Sequence, residues 1–82
     1  MPKVDSVRSE LQRVLRSVSF QKFVVSLESG ERALVEHPEN VAFDPELNGR
    51  EDVYIISRAV RLYTTLGAIS GMYLADRDGA AA

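Results

Sequence analysis

His37 is the only histidine, and it stands in the run Glu36-His37-Pro38-Glu39, where an imidazole lies between two carboxylates. As a general base it would need a nucleophile or substrate within reach and a third group to orient it. Pro38 biases His37 to an extended backbone and leaves the geometry of Glu36 and Glu39 open. His37 and Glu39 are therefore read as a candidate functional turn. The competing reading is a turn histidine that caps backbone groups at a strand end. A hydrolytic or metal centre has little else to draw on, since the chain has no cysteine and no second imidazole. Asp44, Glu46 and Asn48 alternate as in a calcium loop, but Pro45 and the lack of a suitably spaced bidentate Glu argue against one. No serine sits in a nucleophile elbow, and no glycine-rich loop opens a helix to cradle phosphate. Glu51-Asp52 is a carboxylate pair whose members would face opposite sides of a strand. The expectation is a protein that is not an enzyme and has no metal or cofactor.

The second chemistry on offer is electrostatic. Ten Lys and Arg stand against twelve Asp and Glu, a net charge of −2, whereas dedicated nucleic-acid binders carry a basic excess. The charge is polarised, however. Lys3 to Lys22 holds five basic residues and two acids, and Glu36 to Asp52 holds six acids and Arg50. Arg8, Arg13, Arg16 and Lys22 are thus the candidate contacts for a nucleic acid or another partner. Phe20, Phe23, Phe43, Tyr54, Tyr63 and Tyr73 could supply stacking surfaces if exposed. Their ordinary placement is core for the Phe residues and half-buried sheet for the Tyr residues.

These residues are carried by a chain of 82 residues, enough for one domain. A domain near this size buries only about 60–65% of the surface its unfolded chain exposes, so its core is thin and a partner subunit is a common remedy. The composition is globular, at 45% hydrophobic and 27% charged. The missing cysteines favour a reducing cytoplasm, the start of the chain has no signal-peptide pattern, and no segment is long and apolar enough to span a membrane.

Val4, Val7, Leu11, Val14, Leu15 and Val18 recur at spacings of three and four, which predicts a helix over about Ser6 to Val18 capped by Asp5 or Ser6. From Phe20 the period changes to two. Phe23 to Leu27, a Glu28-Ser29-Gly30-Glu31 hairpin and Arg32 to Glu36 follow, before His37-Pro38 interrupts the pattern. Val41 to Phe43 is a third strand or the second continued past a kink. Asp44 to Arg50 is a loop, Asp52 to Ser57 and Val60 to Thr65 form a second hairpin, and Thr64-Thr65-Leu66-Gly67 makes a brief turn or 3₁₀ link before a last strand at Ala68 to Leu74. Gly67 or Gly71 would mark a bulge or a close strand approach. The fold class is α+β, mainly β: an N-terminal helix and a strongly bent five-stranded antiparallel sheet, an SH3- or Sm-like small barrel. Residues 1–75 form the domain and 76–82 a flexible tail.

Ser19 to Phe43 resembles a group of small uncharacterised bacterial proteins with an N-terminal helix, a Phe-x-x-Phe strand, a Gly hairpin and a Val-x-His-Pro-Glu turn. The matching positions are Phe20, Phe23, Leu27, Gly30, Val35, His37, Pro38 and Glu39. Ser19 departs from the proline more usual before the first Phe. The resemblance implies a fold and no reaction. Topology alone is similar to the Sm family, but Leu62-Tyr63-Thr64-Thr65 lacks the Tyr-Lys-His of its bacterial RNA-chaperone branch. The expected function is a protein-interaction or self-assembling module, a homo-oligomer or the subunit of a protein partner, with RNA binding through the basic helix as the alternative.

Overall fold

The computed structural model describes residues 2–46, 48–58 and 60–75. Helix α1 spans Pro2–Leu15 and is followed by strands β1 (Phe23–Leu27), β2 (Arg32–Val35), β3 (Val41–Phe43), β4 (Asp52–Ile56), β5 (Arg61–Thr65) and β6 (Ile69–Leu74). Single 3₁₀ turns occupy Pro38–Asn40 and Leu66–Ala68. The expected five-stranded sheet is instead six strands in two antiparallel sheets, ordered β2-β1-β6 and β3-β4-β5. The division falls at His37-Pro38. His37 is extended, Pro38 opens the 3₁₀ turn, and β3 emerges beside β4 and not beside β1. A proline cannot donate to a ladder, so the second strand ends there. The expected C-terminal tail, 76–82, lies outside the described residues.

The helix begins four residues earlier than its periodicity predicts. Pro2 suits the first turn, where its missing amide costs nothing. It also ends earlier, at Leu15. Ser17, Val18 and Ser19 are weak helix formers, and Val18 is fully exposed at 104%, so it leaves the apolar stripe to which its spacing assigned it. Leu11 is fully buried, with Val4, Val7, Val14 and Leu15 packed around it. The Lys3 ammonium ties the start of the helix to the sheets, donating to Glu28 at 2.6 Å and to the Gly67 carbonyl at 2.9 Å.

Alternation sets the core. Phe23, Val25 and Leu27 of β1, Ala33 and Val35 of β2, Val53 and Ile55 of β4, and Ile69 of β6 point inward with Leu66. Each large apolar side chain buried in this way stabilises the fold by about 1.5–3 kcal/mol. Gly30 turns the first hairpin at φ +98°, a backbone region that other residues enter at a cost. The register between β1 and β6 slips by one after Ser26, making the bulge expected near Gly71, and the Ser70 hydroxyl donates to the Ser26 carbonyl at 3.1 Å.

Candidate interaction surface

The candidate basic residues do not form one surface. Arg8 follows Val4 by four positions and precedes Leu11 by three, so it lies on the buried stripe of α1, and it is only 4% exposed. Its Nε donates to the Asp44 carbonyl at 3.0 Å, and its Nη2 donates to the carbonyls of Gly49 and Arg50 at 3.1 and 3.0 Å. Asp5 completes the set at 3.5 Å. These donors are used inside the fold, and Arg8 is not available to a surface ligand. Arg13 is exposed but paired with Glu10, whose carboxyl is held below its ordinary range by that hydrogen bond. Arg16 and Lys22 are exposed and make no ion pair among the described residues.

The loop that Arg8 holds is also organised by Asp44. Its carboxylate accepts from the amide of Glu46 at 2.9 Å and from that of Arg50 at 3.2 Å. Those two backbone bonds keep Asp44 ionised below the usual carboxylate range. The calcium-like spacing is therefore a loop that closes on itself. No cluster of three or more potential metal-ligating side chains occurs among the described residues.

His37 is exposed, and its side chain caps nothing. Its carbonyl does the capping, accepting from Asn40 N–H at 3.0 Å. Glu39 is exposed in the same turn. Beside them, Glu36 takes three bonds from Arg58, Nε to Oε1 at 3.2 Å and to Oε2 at 3.1 Å and Nη2 to Oε2 at 2.7 Å, and this fork is the main reason its carboxyl titrates low. Ser57 Oγ donates to the Leu34 carbonyl at 3.1 Å. The β4–β5 turn thus covers the outer edge of β2.

The edges of β5 and β6 have no such cover among the described residues. Ser57 and Val60 exchange both backbone bonds, at 2.8 and 3.4 Å, which makes Ile55–Leu62 and Val53–Thr64 the hydrogen-bonded pairs of the β4–β5 ladder. The backbone groups of Arg61, Tyr63 and Thr65 therefore face away from β4. By the same alternation, the Ala75 amide bonded to Lys22 O at 3.1 Å makes Val24–Tyr73 a bonded pair, and the backbones of Met72 and Leu74 face away from β1.

Around these edges lie the exposed apolar side chains. Tyr63 is 79% exposed, not half-buried as expected, and stacks on Tyr54 with ring centroids 4.5 Å apart. Leu74, Val60, Ile56 and Tyr73 are exposed as well. A cleft of about 290 Å³ opens between the end of α1 and β6, with Val14, Phe23, Met72 and Leu74 among its apolar lining and Glu10 and Arg13 among its polar lining.

Comparison with protein-family models, curated proteins and solved structures finds no match of the chain to any of them. No helix among the described residues is long and apolar enough to cross a membrane.

Proposed function

We propose that this chain is a non-enzymatic interaction module of the cytoplasm, self-associating or docking a protein partner through its open sheet edges. One observation carries the reading: β5 and β6 each present outward-facing backbone donors and acceptors with exposed apolar side chains beside them. Such an edge is a template for another strand, and proteins that do not use one usually blunt it with charge, proline or cover. The passage of the chain from β2 in one sheet to β3 in the other across the Pro38 turn is the feature that supports an Sm- or SH3-like small-barrel arrangement.

Nucleic-acid binding through the helix is the weaker reading. With Arg8 engaged inside the fold and Arg13 paired, Arg16 and Lys22 are too few to neutralise a phosphate track.

Size-exclusion chromatography with light scattering tests the proposal. A defined oligomer is expected, and a strict monomer at high concentration overturns self-association. Arg61→Pro removes an amide that faces the open edge at the first position of β5, so the fold should survive it while assembly weakens.

A further inference from the structure

The two open edges differ in a way that makes them fit each other. The outward-facing backbones of β5 belong to residues whose side chains lie on the exposed face of their sheet: Arg61, Tyr63 and Thr65. Those of β6 belong to Met72 and Leu74, which line the cleft beneath α1. When two strands join antiparallel, residues with outward-facing backbones become directly opposed, and their side chains fall on one face. Antiparallel addition of β5 from one copy to β6 of another therefore delivers Tyr63 to the side on which the cleft opens. Parallel addition would place it opposite Tyr73, whose side chain alternates to the other face of β6 from Met72 and Leu74, although Tyr73 also borders the cleft.

From this we infer that a second copy of the chain occupies the α1–β6 cleft, its β5 extending the sheet and its Tyr63 ring seated against Val14, Phe23, Met72 and Leu74. The inference rests on the self-association reading above and specifies its contact. Tyr63 is the most exposed aromatic of the chain, and a tyrosine suits a site with an apolar floor and a polar rim. The Glu10 carboxylate on the rim is already paired with Arg13, so the contact is carried by the apolar floor and the strand edge and not by charge. The surface is sufficient too. A standard interface takes about 800 Å² from each partner, roughly 15% of the 5427 Å² here, which leaves room for one donor and one acceptor patch per copy. Because the two patches differ, the contact is head-to-tail and builds a ring or a filament.

The chain has no tryptophan, so Tyr63→Trp introduces a single reporter at the docking position. Its emission should shift to shorter wavelength as concentration rises, in step with the mass seen by light scattering. Adding Ser17→Arg at the exposed lip of the cleft should abolish both changes while leaving the circular dichroism spectrum intact. Assembly with no emission shift, or assembly that Ser17→Arg leaves untouched, overturns the cleft contact and spares self-association. A monomer at every concentration, in the unsubstituted chain as well, overturns both.

Discussion

The Asp44–Arg50 loop and the β4–β5 hairpin treat polar backbone groups in opposite ways. In the loop, carbonyls of Asp44, Gly49 and Arg50 are collected by one buried guanidinium, and amides of Glu46 and Arg50 by one carboxylate. In the hairpin, the outer edge of β5 leaves its donors and acceptors facing outward, beside a tyrosine that is 79% exposed. A buried polar group without a partner costs about 1–3 kcal/mol, so a region that satisfies its groups internally is committed to holding its own shape. A region that leaves them at the surface at little cost is available to bind. Arg8, a candidate contact by its charge, therefore serves the fold, and in the proposed reading recognition falls to residues with little charge.

Breaking the loop should have the largest effect. Arg8→Ala strands three carbonyls and opens a hole beside Leu11, and hydrogen bonds from charged donors contribute about 1.5–3 kcal/mol each. A loss of about 3 kcal/mol or more is expected in chemical denaturation. Arg8→Lys should recover only part of it, because a single ammonium cannot span the fork. Gly49→Ala acts on the same loop from the other side. A Cβ there would stand 2.5 Å from Asp44 Oδ2, an atom fixed by the Arg50 amide, so the carboxylate must give up its bonds. About 1–2 kcal/mol of destabilisation is expected, within the usual range for a disrupted hydrogen-bond network.

How much of this was legible in the sequence depends on whether the pattern was local. The Gly30 hairpin, the kink at Pro38 and the 3₁₀ link at Leu66 follow from residue types with strong backbone preferences, and the structure places them as read. The helix was shifted because an apolar stripe marks a face and not an end. Two sheets replaced one because the choice of partner for β3 is a long-range matter that three residues cannot encode. Counting charge without position misplaces Arg8, although Val4, Arg8, Leu11 and Leu15 share one helical face and so offer a signal. Tyr63 was also within reach: if Leu62 points in, alternation turns Tyr63 out.

The hairpin should respond differently. Tyr63→Ala removes the stack on Tyr54, a contribution of about 0.5–1.5 kcal/mol for an aromatic pair, and less at so exposed a site. Denaturation of the monomer should therefore change by under about 1 kcal/mol while the oligomer seen by light scattering is lost. An equal loss in both measurements would mean that Tyr63 acts on the fold, and the contrast between the two regions would fail.

The smallest effect is expected where the hairpin meets the first sheet. The Arg58–Glu36 fork joins the β4–β5 turn to the end of β2, with Arg58 largely exposed, so screening keeps its contribution modest. The Arg58 hydrogen bond lowers the Glu36 carboxyl in the folded state relative to the unfolded chain. The contribution is then fully present above the ordinary carboxylate range and is lost as pH falls through the lowered folded value. Glu36→Gln should reduce stability slightly at neutral pH, with the difference from the parent vanishing in acid and shrinking at high salt. Thermal melts across that pH range provide the check. A difference that persisted undiminished in acid would mean that Glu36 acts through packing and not through its charge. Asp44 is lowered in the same direction, but by backbone amides inside the loop. The acid sensitivity left in Glu36→Gln should therefore come from the loop and from the exposed Glu10–Arg13 pair, and adding Asp44→Asn should remove the loop's share.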